Sequence, residues 1–130
     1  VKLTLRTTVV DASTCKPIKG AAVDIWHCDA TGNYSGINGS ATTFLRGIQR
    51  TNATGLATFV TLFPGWYQGR TTHIHVKVQA PGGDVLTTQL FFPGVSANRG
   101  DRLFDSDLLL RRWRRVGARR TGRFDFVLEP

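Results

Sequence analysis

Apolar and polar residues alternate along most of the chain, as is typical of β-strands that bury one face. The alternation predicts strands at residues 2–10, 21–28, 44–51, 56–62, 73–78, 85–92 and 124–128. Gly, Pro and Asn cluster between these segments and indicate turns, as in Pro81-Gly82-Gly83. Short strands separated by turn signals at intervals of roughly 8–12 residues are typical of sandwiches. The pattern therefore predicts an all-β fold, an antiparallel β-sandwich.

Three segments refine this prediction. Residues 44–51 and 56–62 flank the turn Asn52-Ala-Thr-Gly55, so we expect them to pair as a hairpin. Residues 29–43 are rich in Gly, Asn, Ser and Thr and predict a long loop, where function often resides. Residues 105–115 could form a short helix with Ser106 as its N-cap. We thus expect one domain over residues 1–130, with long active-site loops and at most one short helix.

Composition narrows the class of protein. The chain is 41% apolar and has no run of 18 apolar residues, which indicates a globular domain and argues against a membrane-spanning one. Met is absent, even at position 1, so we expect the chain to begin inside a larger gene product. Two cysteines, Cys15 and Cys28, predict one disulfide and a secreted protein, although free thiols remain an alternative.

The chain is strongly basic, with 17 Lys and Arg against 9 Asp and Glu. Many of these charges lie in the segment LLLRRWRRVGARR, which could bind phosphate, an acidic polymer or a membrane surface. No nucleic-acid-binding motif accompanies it, so a solvated arginine face is the favoured interpretation. Trp113 lies among the arginines and is expected to contact them by cation–π interactions.

The candidate chemistry centres on the segment FPGWYQGRTTHIHVKVQ. His73 and His75 are two apart on a predicted strand, so their side chains share one face with Cα atoms about 6.5–7 Å apart. Two imidazoles in this position can bind one metal ion, and Tyr67 follows a Pro-Gly turn that can direct it to the same point. The alternative is an ordinary hydrogen-bonded pair of histidines.

A second tyrosine, Tyr34, ends the motif GAAVDIWHCDATGNY. With FLRGIQRTNATGLATFVTLFPGWY, GRTTHIH and TQLFFPG, this motif resembles the intradiol ring-cleavage dioxygenases over roughly residues 18–94. The resemblance implies a ferric ion, Fe(III), with four protein ligands: Tyr34, Tyr67, His73 and His75. It implies axial positions for Tyr67 and His75. Arg70 matches an active-site arginine, and Gln89 a polar residue that lines the same cavity.

The family's activity is the cleavage of catechol-type diols by O2 to cis,cis-muconate-type diacids in aromatic catabolism. The resemblance implies that Tyr67 accepts a substrate proton and that Arg70 stabilises negative charge on the organic intermediate. It implies small catechols and O2 as partners, with neither nucleic acid nor membrane. The chain lacks the long helical N-terminal segment of catechol-type relatives and looks more like the compact secreted subgroup. The oligomeric state therefore stays open between monomer and oligomer, as does tethering to another domain.

The sequence also allows other interpretations. The chain could be a non-catalytic sandwich module that recognises an acidic polymer through its arginines, or the His pair could hold zinc. Cys28 as a thiolate ligand would favour zinc or copper, but the disulfide is preferred. His27 could be a fifth ligand, yet the family pattern does not require it and a packed histidine is favoured. Among catechol, protocatechuate and hydroxyquinol, a permissive catechol-class preference is expected.

Overall fold

The computed structural model describes residues 2–27, 46–64, 71–83 and 85–128. These residues form eight strands, and buried side chains alternate with more exposed ones along three of them, Leu56–Leu62, His73–Gln79 and Arg119–Leu128. The strands are β1 Lys2–Asp11, β2 Ala22–Trp26, β3 Arg46–Arg50, β4 Leu56–Leu62, β5 His73–Gln79, β6 Val85–Phe91, β7 Arg111–Val116 and β8 Arg119–Leu128. Two short 3-10 turns, Ser96–Gly100 and Ser106–Leu108, lie between β6 and β7.

The strands form two four-stranded sheets, which confirms the all-β sandwich. Sheet I has the order β4-β1-β8-β7, and sheet II has the order β3-β2-β5-β6. Inward-facing apolar side chains of both sheets make one core, with Leu3 and Leu5 on β1 and Ile74 and Val76 on β5 fully buried. Most neighbouring strands are antiparallel, but β1 and β8 pair in parallel. The alternation of side chains along each strand did not reveal this parallel pair.

The first strand is more deeply buried than its pattern suggests. Thr4 and Thr8 point away from the core, yet they are only 4% and 7% exposed. The reason is the position of β1 between β4 and β8, where neighbouring side chains cover its outer face. Thr8 donates a hydrogen bond to the carboxylate of Asp125 on β8. The expected exposure of the outer face of β1 is therefore confirmed at Lys2 and Arg6 and wrong at Thr4 and Thr8.

The predicted hairpin between the third and fourth strands is also wrong. The turn at 52–55 forms as expected, and the Asn52 side chain accepts hydrogen bonds from the backbone N–H groups of Thr54 and Leu56. The turn, however, carries the chain from sheet II to sheet I, because β3 pairs with β2 and β4 pairs with β1. Gly55 makes this crossing with a φ of 75°, in the left-handed region that favours glycine.

The predicted helix at 105–115 is replaced by a 3-10 turn and strand β7. The cap of the turn is Asp105 and not Ser106, since the Asp105 carboxylate accepts a hydrogen bond from the Asp107 backbone N–H. β7 is an edge strand with a bulge between Arg111 and Arg114, and the bulge breaks the alternation by which strands are recognised. β8 also begins at Arg119, earlier than predicted.

Trp113 lies inward from the arginines that flank it. Its ring packs against those of Phe63 and Phe92, with centroid distances of 5.8 and 5.1 Å, at the margin of the core. Trp113 was expected to make cation–π contacts with the arginines. It instead makes aromatic contacts inside the sandwich. Within the described ranges, no helix has the length and apolar composition needed to cross a membrane.

Candidate active site

His73 and His75 lie on the outer face of sheet II, where β5 begins. His73 is 2% exposed and His75 is half-buried. Their Nε2 atoms are 3.2 Å apart, and their ring planes are nearly perpendicular at 83°. The two nitrogens are therefore close enough to share one ion, and they also lie at hydrogen-bond distance from each other, which is the alternative for this pair.

This convergence fits a shared metal ion. Two nitrogen ligands about 2.1 Å from a metal and roughly 90° apart are themselves about 3 Å apart. Among the described residues, no group of three or more His, Cys, Asp or Glu side chains is placed to hold a metal. The other predicted ligands, Tyr34 and Tyr67, and the predicted active-site Arg70 lie outside the described residues. The histidine pair is thus the part of the predicted ligand set that the structure describes.

The orientation of His73 is fixed by the backbone that precedes it. Its Nδ1 atom lies 2.7 Å from the Thr71 carbonyl oxygen, which can only accept, so Nδ1–H donates and Nε2 presents a lone pair. Thr71 is held in turn by two buried side chains. Its N–H donates to Asp101 Oδ2 at 2.7 Å, and its hydroxyl lies 2.6 Å from Asn98 Oδ1. This arrangement makes Nε2 the available ligand atom.

Sequence reasoning missed Thr71, Asn98 and Asp101. Asn98 and Asp101 lie in and just after the first 3-10 turn, about 30 residues from Thr71 along the chain, in a segment with weak alternation. Local patterns report on residues that are neighbours in sequence, whereas this link depends on how β6 returns the chain to the site. No local signal would have found it.

His75 is held by an aromatic stack. Its ring lies parallel to that of Trp26 on β2, with a centroid distance of 5.2 Å and an interplanar angle of 7°. The guanidinium of Arg46 lies 4.9 Å from the Trp26 ring centroid and forms a 2.8 Å ion pair with Asp24. Trp26 is thus a wall of the site, supported by Arg46 on β3 and stacked against the His75 imidazole.

Gln89 lies directly across from His75. The two residues are register partners in the antiparallel pair of β5 and β6, so their side chains project from the same face of sheet II. The structure thus brings Gln89 to the histidine pair.

His27 lies in a different environment. It is 1% exposed, and its Nε2 lies 2.9 Å from Thr61 Oγ1 on β4 in the opposite sheet. This contact supports the packed histidine and places His27 between the sheets, away from the outer face that carries His75.

Cys15 is an exposed free thiol in the loop after β1, and its φ of 58° lies in the left-handed region. Its predicted partner, Cys28, lies outside the described residues. The structure therefore shows no disulfide at Cys15, and the pairing stays a prediction.

Known proteins share this chain's sequence and fold. A family model described as Dioxygenase matches residues 1–130. The chain is 31% identical to 6-chlorohydroxyquinol 1,2-dioxygenase of Cupriavidus pinatubonensis, an alignment that covers 96% of this chain and 52% of the relative. It is 37% identical to catechol 1,2-dioxygenase 2 of Acinetobacter lwoffii, covering 61% of this chain and 36% of the relative. The chain thus spans about half or less of the curated relatives that it matches.

Solved structures agree with the sequence matches. The dioxygenase domain of a dioxygenase–carbohydrate-binding protein fusion from Streptomyces sp. SirexAA-E has a TM-score of 0.89 and 49% identity, covering 99% of this chain and 80% of that one. An intradiol ring-cleavage dioxygenase from Tetranychus urticae has a TM-score of 0.90 and 31% identity, covering 100% of this chain and 81% of that one. Because the family model matches along the whole chain and these similarities extend across the sandwich, the chain belongs to the intradiol ring-cleavage dioxygenase family.

Proposed function

We propose that this chain is an Fe(III)-dependent catalytic domain that cleaves catechol-type aromatic diols with O2. The ring opens between its two hydroxylated carbons and gives a cis,cis-muconate-type diacid. The observation that carries the proposal is the convergence of the His73 and His75 Nε2 atoms, 3.2 Å apart, on one face of sheet II. Family membership supports the reaction class.

The donor set proposed for the ion is Tyr34, Tyr67, His73 and His75. Phenolate oxygens are hard donors that suit a ferric ion, and imidazole nitrogens are common iron ligands. A bound ferric ion would act as a Lewis acid that keeps both phenols ionised and activates the diol towards O2. Two neutral imidazoles and two phenolates leave one positive charge on the centre, which suits an anionic substrate.

The remaining roles belong to side chains of this chain. Tyr67, as a phenolate, would accept a proton from one substrate hydroxyl. Arg70 would stabilise negative charge that develops on the organic substrate. Gln89, across from His75, would donate a hydrogen bond from its amide to a substrate oxygen and so help to orient the ring. Trp26 and the Thr71 carbonyl would keep the two imidazoles in place during turnover.

The proposal is tested by metal content, colour and oxygen uptake in one preparation. We expect one iron per chain, visible absorption from tyrosinate bound to Fe(III), and O2 consumption with catechol. A colourless, active zinc protein, or an iron-loaded protein that consumes no O2 with any catechol, catechol carboxylate or hydroxyquinol, would contradict it.

The Tyr34→Phe variant tests the ligand set. Loss of one phenolate should shift the visible absorption band and lower kcat by at least about a hundredfold, since this residue would bind the ion directly. Circular dichroism would control for folding. Unchanged absorption and turnover in an iron-loaded Tyr34→Phe protein would remove Tyr34 from the set.

Secretion and tethering to a second domain complete the proposal. The fusion architecture of the Streptomyces relative supports tethering. A Cys15–Cys28 disulfide would fit an oxidising compartment. Thiol titration of the oxidised, denatured protein should then find no free cysteine, whereas two free thiols would exclude the bond.

A further inference from the structure

A polar cavity lies on the outer face of sheet I. It has a volume of about 230 Å³ and is lined mainly by arginines from three strands. The lining residues are Arg6, Arg112, Arg114, Thr121, Gly122 and Arg123. The histidine pair lies on the outer face of sheet II, so the two sites are on opposite faces of the sandwich. The cavity therefore takes no part in the proposed ring cleavage.

The strand register explains how these arginines come together. Arg6 on β1 is the partner of Arg123 on β8, and Arg123 is the partner of Arg111 on β7. One row further along, Thr121 is the partner of Arg114. Side chains opposite each other on neighbouring strands are close enough to interact. The cavity is thus built by pairing between strands and not by one run of arginines.

The bulge in β7 sets the direction of the side chains. Three steps from Arg111 to Arg114 are matched by only two steps on β8, so β7 carries one extra residue here. Trp113 enters the core against Phe92, while Arg112 and Arg114 both line the outer cavity. In a regular strand, successive side chains point to opposite faces, so residues three apart such as Arg111 and Arg114 could not lie on one face.

The cavity has little negative charge of its own. Asp125 forms a 3.2 Å ion pair with Arg123 and accepts a hydrogen bond from Thr8. Within the described part of the chain, Arg6, Arg112 and Arg114 have no carboxylate within ion-pair distance. Like charges held together in this way repel one another, and a bound anion would relieve the repulsion.

Arg112 lies within the bulge of β7. Its φ of 51° lies in the left-handed region, which is unfavourable for a side chain as long as arginine. Glycine would adopt this conformation without cost. A left-handed residue is a feature of some β-bulges, and here the bulge brings Arg112 to the cavity.

We propose that this cavity binds a tetrahedral oxyanion, a sulfate or phosphate group, either free or as an ester on a larger molecule. Guanidinium groups match such oxyanions because their N–H donors form paired hydrogen bonds with two oxygens. The Thr121 hydroxyl offers one more donor, and the cavity has room for a tetrahedral anion with some water.

Sulfate is the probe, because it is dianionic at every working pH. We would titrate the protein with sodium sulfate at constant ionic strength against sodium chloride and follow the arginine Nε–H signals by NMR. The expected result is saturable binding that weakens by at least about tenfold in Arg112→Gln/Arg114→Gln. The control, Lys16→Gln/Lys19→Gln, removes two charges outside the cavity and should bind like the wild type.

Equal loss of affinity in both double variants, or a linear, unsaturable response in the wild type, would overturn the proposal. Titration with a sulfated oligosaccharide then distinguishes the source. Tighter binding than inorganic sulfate, again lost in Arg112→Gln/Arg114→Gln, indicates an ester on a larger molecule. Equal affinity indicates the free anion.

Two single substitutions extend the test. Arg112→Gly should raise the melting temperature measured in chloride, because it relieves the left-handed backbone, while it weakens sulfate binding. Asp125→Asn should strengthen sulfate binding, because it releases Arg123 from its ion pair. Arg112→Gly with wild-type affinity would count against the site, as would Asp125→Asn with weakened affinity.

Discussion

At the scale of single residues, Asp101 is connected to His73 through the main chain of Thr71. It is 8% exposed, and its two oxygens accept hydrogen bonds from the backbone N–H groups of Thr71 and Leu103 at 2.7 and 2.8 Å. The Thr71 carbonyl in turn orients the His73 imidazole. Asp101 is therefore a positioning residue for His73, acting through the Thr71 main chain.

Asp101→Asn should loosen this arrangement, because an amide offers only one acceptor atom where the carboxylate offers two. We expect iron to be held about 10–100-fold more weakly, measured by competition with a chelator. The matched control is Asp105→Asn, whose carboxylate accepts a backbone hydrogen bond at an exposed 3-10 turn. Equal iron affinity in both variants would show that Asp101 does not position the ligand.

Asp125 gives the protein a pH-dependent contribution to stability. Burial raises its pKa, but the Thr8 hydrogen bond and the nearby guanidinium of Arg123 lower it, and the net direction is downward. A carboxyl group whose pKa is lower in the folded state stabilises the fold above its unfolded-state pKa. This contribution is lost as the pH falls through the folded-state pKa.

The Asp125→Asn variant should therefore be less stable than the wild type at pH 7, by at most about 1 kcal/mol because the group is half exposed to solvent. The difference should shrink as the medium is acidified through the range in which carboxyl groups titrate. Urea denaturation at a series of pH values measures it. A difference that is constant with pH would mean that the ionised carboxylate is not the source.

At the scale of elements, the turn at 52–55 decides which sheet receives β4. Gly55 is in the left-handed region, and a Cβ added there would lie 2.7 Å from the Val9 carbonyl oxygen. Its backbone carbonyl also accepts a hydrogen bond from the Val9 N–H at 2.9 Å. The turn is thus pressed against β1 at the point where the chain crosses between sheets.

Gly55→Ala should destabilise the fold by about 2–4 kcal/mol, from backbone strain and from a clash that only main-chain movement can relieve. Gly82→Ala is the control, because Gly82 has a similar φ of 64° but no atom within 4 Å of the added Cβ. The Gly82→Ala substitution should lower the free energy of unfolding by about 1–2 kcal/mol, from backbone strain alone. Equal destabilisation in thermal unfolding would show that the contact with β1 does not matter.

At the scale of the whole molecule, the sandwich separates two polar sites. The apolar core lies between the outer face that carries His75 and the outer face that carries Arg6. Coupling between two sites needs an element with two discrete arrangements that both sites bias, and a close-packed core resists such rearrangement. We therefore infer two independent sites.

Independence predicts that removing iron leaves sulfate affinity unchanged. It also predicts that saturating sulfate leaves O2 uptake with catechol unchanged at constant ionic strength. Both follow from linkage, since sites without coupling free energy do not alter each other's equilibria. A shift of more than about threefold in sulfate affinity on iron removal would reveal coupling through the sandwich.

The sequence by itself determined the strands with regular alternation, the turns that bound them, and the placement of His73 and His75 on one face. These features are local, because a strand's side-chain period of two is set by its own backbone. The same rule failed at β7, where the bulge puts Arg111 and Arg114 on one face despite their odd spacing. A period-two pattern cannot report an inserted residue before the partner strand is known.

The tertiary structure alone decided which strands are neighbours. In the folded protein β4 and β3 lie in different sheets, and β1 pairs with β8 in parallel. Asp101 contacts Thr71, which is 30 residues away in the sequence. The alternation of a strand records which side is buried but not what covers it, since any apolar partner satisfies the hydrophobic effect. The choice among partners depends on packing and hydrogen bonds between distant segments, which exist only once the chain has folded.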